Sequence, residues 1–134
     1  LLPSGAMARA AVRAMASTVA CDIHPLNNLR VLQALRQDLG ASDQTVHDWI
    51  ARWIRNGFAA LEGMVRDHGL DFCFGDTPTI ADCCLIPQIY NARRFGVDLT
   101  DFPELLAVDG RCGEIDAFVR ALPENQPDAD GANA

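Results

Sequence analysis

The chain has 134 residues, a formal net charge of −7, a pI near 4.7 and 49% apolar residues. That length gives one domain with a core of its own, and the acidity argues against a nucleic-acid binder, which needs a basic surface to neutralise phosphate. No apolar run approaches the ~20 residues that span a bilayer, and the opening LLPSGAMARA has no secretory pattern.

All eleven basic residues are Arg, so every positive side chain is a planar, permanently charged fork suited to carboxylates. The five cysteines, Cys21, Cys73, Cys83, Cys84 and Cys112, form no C-x-x-C pair. They read as core residues of a reduced protein rather than as zinc ligands or redox pairs. His24, His47 and His68 lie too far apart for a metal-ligand spacing, and no metal site is expected.

In chain order the apolar periods are helical and no strand alternation occurs, which predicts an all-α bundle of about five helices. The first helix starts near residues 4–6 and runs to about Asp38 before Gly40. Its Leu26, Leu29, Leu32 and Leu35 step by three, so the stripe slides round the helix and asks for partners on more than one side. The second helix opens at Ser42, a good N-cap, and closes at His68–Gly69. Val46, Ile50, Trp53, Ile54, Leu61, Met64 and Val65 form its apolar face, and Gly57 can let another helix approach closely.

Residues 69–78, GLDFCFGDTP, read as a loop. The third helix opens at TIAD, where Thr79 and Asp82 have capping-box spacing. It passes through Pro87 and stops before Gly96. Pro103 starts a short fourth helix continuing over 104–109, and a last helix covers about 112–122. From Pro123 the sequence PENQPDADGANA is almost without apolar residues, and 123–134 is expected to be a disordered tail after a domain of residues 1–122.

The stretch CDIHPLNNLR carries the chemistry. Pro25 cannot donate to the Cys21 carbonyl and its ring crowds that turn, at about 3 kcal/mol relative to Ala. His24, Asn27 and Asn28 share a face by three- and four-residue spacing, with Arg30 at its edge. A bend bearing these donors can wall a pocket for an anion. Equally, the two Asn side chains can bond the freed carbonyl or face water. Arg93 and Arg94 end the third helix, where cations offset the dipole; the alternative turns one of them into a cleft to hold a carboxylate.

Two segments, GDTPTIADCCLIPQIYNARRFGVDLTDFP and CDIHPLNNLRVLQ, closely resemble the C-terminal half of zeta-class glutathione transferases, and within them the maleylacetoacetate and maleylpyruvate isomerase group. The resemblance runs from Leu1 to about Asp128. It implies the helical C-terminal domain of a two-domain, homodimeric, cytoplasmic enzyme of aromatic catabolism. In that family a thioredoxin-like domain binds glutathione; its thiolate adds to a cis double bond, the adduct rotates, and glutathione leaves the trans product.

By that likeness His24, Asn27 and Asn28 meet glutathione, and Arg30 and Arg94 bind the carboxylates of a small dicarboxylate substrate, while Arg93 stays at the surface. The chain holds no thioredoxin-like segment and reads as beginning in the linker, at LLP. Alone it is therefore expected to be inactive, to bind glutathione weakly or not at all, and to expose apolar surface where that domain would dock. Two further readings stay open: a zeta-like transferase acting on other electrophilic acids, and a non-catalytic helical interaction module.

Overall fold

The computed structural model describes residues 1–129. Its elements are α1 (Ala6–Ser17), a π-helical turn (Thr18–Ile23), α2 (His24–Leu26), α3 (Leu29–Gln37), α4 (Asp43–His68), α5 (Ile80–Arg94), α6 (Pro103–Cys112) and α7 (Asp116–Arg120). A 3-10 turn follows at Pro123–Asn125. Among the described residues there is no sheet, only an isolated bridge between Gly69 and Gly75 that closes the 69–78 loop. The all-α expectation holds.

The single first helix does not. The chain widens into the π-helical turn just ahead of Pro25, where the His24 amide reaches back five residues to the Val19 carbonyl. Widening relieves the clash between a proline ring and the carbonyl four residues earlier. The helix then stops: Asn27 leaves helical geometry, and Asn28 is extended (φ −64°, ψ 145°) and starts α3 as its N-cap. Asn28 Oδ1 accepts from the Arg30 amide at 3.2 Å. The leucine stripe is interrupted with the helix. Leu32 is buried, Leu26 and Leu35 are half-buried, and Leu29 is 66% exposed.

The central element is α4, 26 residues long. Val46, Ile50, Ile54, Phe58, Leu61 and Val65 are all buried along it, against Val12, Met15, Val19 and Ile23 of the first segment, Leu85 and Ile89 of α5, and Leu105 and Val108 of α6. Trp53 and Met64, expected in that core, are half-buried at its edge. Gly57 does what its position predicted. A Cβ there would fall inside the side chain of Ile23, so only glycine lets the π-helical turn lie this close to α4.

Two buried carboxylates hold helix ends. Asp82, fully buried, accepts from the Thr79 amide (2.7 Å) and hydroxyl (2.9 Å) with Oδ2, and from the Cys73 amide (2.8 Å) with Oδ1. The Thr79 hydroxyl oxygen accepts from the Ala81 amide at 3.2 Å. The capping box is complete, and it also anchors the loop. The Leu1 carbonyl takes the Ile80 amide at 3.0 Å, pinning the chain start to α5. The second carboxylate, Glu62 of α4, was not singled out by sequence. It accepts from the Glu104 and Leu105 amides (3.0 and 3.1 Å), because Phe102 at the N-cap of α6 brings no acceptor of its own.

Past α5, Gly96 (φ 65°) closes a Schellman turn, with its own amide on the Arg93 carbonyl and the Val97 amide on the Ala92 carbonyl. α6 extends to Cys112, three residues beyond 109, and α7 is correspondingly short. The stretch expected to be disordered from Pro123 opens instead on the 3-10 turn. There the Asn125 and Gln126 side chains donate to the Val119 and Arg120 carbonyls at 2.7 and 2.8 Å, folding the turn back onto the end of α7. Residues 130–134 of that expectation lie outside the described residues.

The cysteines divide. Cys73 and Cys112 are buried, Cys84 is intermediate, and Cys21 and Cys83 are exposed, so the core reading applies to part of the set only. Burial pushes the Cys73 thiol far up, and the Asp82 carboxylate beside it adds to the effect. Cys112 is pushed up to about 12, by burial first and then by Asp82 and Asp109.

Three outcomes follow from this packing. Gly57→Ala gains about 1 kcal/mol of helix propensity but overpacks Ile23 at about 1–3 kcal/mol; thermal denaturation should show a lower Tm, whereas Gly63→Ala, with open space around it, should raise it. Asp82→Asn sets an amide donor against a backbone donor and should destabilise the fold by about 3 kcal/mol, read by chemical denaturation. A maleimide reagent at pH 8 should label Cys21 and Cys83 within minutes, and Cys73 and Cys112 only after unfolding.

Candidate functional site

His24, Asn27, Asn28 and Arg30 all sit at the break between the π-helical turn and α3, as the sequence placed them. Arg94 is the last residue of α5. His24, Arg30 and Arg94 are exposed, and the two Asn residues are half-buried. Beyond the Arg30 amide on Asn28 Oδ1, no side-chain hydrogen bond or ion pair joins the five to one another among the described residues.

Their electrostatic state differs from that of most cations in the chain. Arg36, Arg55, Arg66, Arg93, Arg111 and Arg120 each hold a carboxylate. Arg93, expected simply at the surface, bridges α5 to α6 through Asp109 at 2.7 Å. Among the described residues Arg30 and Arg94 hold none, nor do Arg9, Arg13 and Arg52. In a protein of net charge −7, two guanidinium groups left free near the break and the end of α5 are available to an external anion.

The two Asn residues have separate jobs. Asn28 caps α3 with its oxygen, which leaves its Nδ2 donor uncommitted. Asn27 neither faces water nor takes the freed carbonyl: its Oδ1 and Nδ2 are both shut away without a partner, as is Trp53 Nε1. An orphaned buried polar atom costs about 1–3 kcal/mol, so this corner of the molecule carries unspent hydrogen-bonding capacity.

The break and the end of α5 share one support. The carbonyl of Leu26 would normally serve the Arg30 amide, which Asn28 has taken; the indole Nε1 of Trp49 on α4 donates to it instead, at 2.9 Å. The carbonyl of Phe95, the C-cap of α5, lies 3.0 Å from His47 Nε2 on α4. A carbonyl only accepts, so Nε2 carries the proton. Sequence reasoning passed over both residues for this purpose. The signal available was that each helix end leaves carbonyls needing donors; nothing local named which donors would arrive.

A cleft of about 390 Å³ lies elsewhere, lined by Arg55, Asn56, Ala59, Glu62, Asp101 and Phe102. Its charges are already committed. Arg55 donates to the Asp98 carbonyl (2.6 Å) and Asp101 (2.5 Å) and sits 5.4 Å over the Phe102 ring, while Glu62 caps α6. This cleft is a seam between α4 and α6 rather than a ligand site. No group of three or more metal-ligating side chains is assembled among the described residues, and no helix there is long and apolar enough to cross a membrane.

Comparison with known proteins agrees with this architecture. Residues 29–108 match the family described as the C-terminal domain of glutathione S-transferase. Over 131 residues the chain is 51% identical to maleylpyruvate isomerase of a Ralstonia species, covering 96% of this chain and 62% of that protein. It superposes with TM-score 0.94 and 50% identity on the holo structure of a bacterial zeta-class maleyl pyruvate isomerase, over 97% of this chain and 62% of the other. A second structure is maleylacetoacetate isomerase from Anaeromyxobacter dehalogenans with dicarboxyethyl glutathione and citrate bound in its active site. It matches with TM-score 0.92 and 45% identity, over 97% and 59%. The chain thus spans about three fifths of the length of the relatives it matches. By this family match over more than half its length the chain belongs to the glutathione S-transferases, as their helical C-terminal domain, and its likeness within them runs to the zeta class.

Proposed function

We propose that this chain is the C-terminal domain of a glutathione-dependent cis–trans isomerase acting on maleylacetoacetate or maleylpyruvate. The observation that carries the reading is the 51% identity to a maleylpyruvate isomerase over nearly the whole chain. The bound dicarboxyethyl glutathione in a 45%-identical neighbour supports the pairing of a thiol tripeptide with a diacid. Whole, the enzyme would be a cytoplasmic homodimer of aromatic catabolism.

The residues present fit glutathione. The free Nδ2 of Asn28 and the exposed ring of His24 lie within five residues on one bent segment and offer donors to peptide carbonyls and carboxylates; the partnerless amide of Asn27 between them is buried and would join them only once uncovered. When bound, glutathione supplies a thiol that adds reversibly to the cis double bond and so permits rotation. This chain's own part is binding and orientation. Arg30 and Arg94 each present a bidentate fork to a carboxylate; two such clamps hold a diacid by its ends and restrict the pose in which its double bond meets the sulfur. The bend at Pro25 turns His24 and the Asn side chains off the straight helix axis. Thiolate stabilisation belongs to the thioredoxin-like domain, so the chain alone is inactive.

The experiment joins this chain to the N-terminal portion of the Ralstonia enzyme and assays the isomerisation spectrophotometrically. The joined protein should turn over, and the chain alone should not. Arg30→Ala and Arg94→Ala should each lower kcat/KM for the diacid by about 10- to 100-fold, the value of one charge-assisted clamp. A neutral electrophile should be conjugated at unchanged rate. Equal losses on both substrates would instead favour a general transferase.

A further inference from the structure

We propose that His47 and Trp49 of α4 are positioning residues which together set the spacing between the two halves of the ligand site. This rests on the reading of His24, Asn28 and Arg94 given above. The two side chains are two residues apart, about 200° round the helix, so they leave α4 on opposite flanks. Each ends on the backbone carbonyl of a residue beside a candidate binding group. Trp49 Nε1 donates to Leu26, between His24 and Asn27; His47 Nε2 donates to Phe95, next to Arg94.

Both acceptors are helix-end carbonyls without an intrahelical partner, so the contacts satisfy groups that local structure leaves open. If the Leu26 carbonyl moved away, the half-buried Trp49 indole would lose its partner; the His47–Phe95 contact is exposed, and there water can replace either group. Around these contacts the break has its 3.2 and 3.4 Å turn bonds from the Asn27 and Asn28 amides, with the Asn28 carbonyl accepting from Val31 and Leu32, and the end of α5 has its Schellman turn and the Arg93–Asp109 pair; the two α4 donors are what tie both ends to the central helix by side-chain hydrogen bonds. The core packing between α4 and the π-helical turn fixes the depth of the break, through Ile23 on Gly57. Leu32, buried in the same core, seats α3, and the Trp49 bond holds Leu26 in the stretch between the two. A single turn of one helix thus acts as a common mount, and a shift at either bond changes where one class of donor stands relative to the other.

The assignment predicts separable effects. In the chain itself, amide hydrogen exchange of His47→Ala should rise about fivefold at Phe95, Gly96 and Val97 and stay unchanged at Asn27, Asn28, Val31 and Leu32; Trp49→Phe, which keeps an aromatic ring and loses only the donor, should show the reverse. In the joined enzyme, His47→Ala should raise KM for the diacid about fivefold with the glutathione KM unchanged. Trp49→Phe should raise the glutathione KM alone. His47→Gln, whose amide still reaches as a donor, should restore the diacid KM. A purely structural role would lower Tm and shift both constants together, and that outcome overturns the proposal. So does unchanged exchange at both segments, whatever the joined enzyme does. Arg94→Ala and His24→Ala run alongside: if they are silent, the site reading itself fails, whereas if they act and the α4 variants leave both KM values unchanged, the positioning role alone fails.

Discussion

The space that a methyl group on Gly57 would need is filled by Ile23, and the site is built on that substitution of one side chain for another. The contact seats the π-helical turn directly on the central helix. Pro25 follows two residues later, so the point where the backbone must give way stands at a fixed height above α4. A proline that in a free helix would only weaken a turn here becomes a joint. Beyond it Asn28 restarts the helix from an extended residue, and the polar side chains on either side of the joint project from a place that the core has already located.

The same economy appears in the two buried acids. Asp82 and Glu62 are nearly inaccessible and neither is neutralised by a buried base; each is satisfied mainly by backbone amides at a helix start. Helix N-termini are electropositive and have orphaned donors, so a carboxylate there meets both needs in one contact. Asp82 acts locally, within its own helix, and also ties down the loop through Cys73. Glu62 acts across the structure, from α4 onto α6. Between them they set where α5 and α6 begin, and hence where α5 presents its last residue, Arg94.

Charge is distributed to leave that residue free. Acids outnumber bases by seven, and four of the eleven arginines are tied to carboxylates of another element, as Arg93 locks α5 to α6 and Arg111 locks the 69–78 loop to α6. Neighbouring arginines therefore have opposite fates: Arg93 is consumed by the fold while Arg94 holds no acid among the described residues. On an acidic surface, uncommitted guanidinium groups are the places where the local field favours an anion, whatever the sign of the overall field.

Sequence alone determined the all-α class, the second and third helices with their caps at Ser42 and Thr79, the close approach at Gly57 and the family, because each depends on contacts within a few residues or on a pattern of side-chain types. It also marked the break at Pro25 as the polar face to watch. It read α1 to α3 as one helix, since the apolar period continues across Asn27 and Asn28 and periodicity does not register an extended residue. Three donations lay beyond it: Trp49 to Leu26, His47 to Phe95, and the α6 amides to Glu62. Each spans from 23 to 48 residues. The chain advertises where such orphaned groups will occur, at helix ends, but which partner reaches them depends on how the helices pack, and only the tertiary structure decides that.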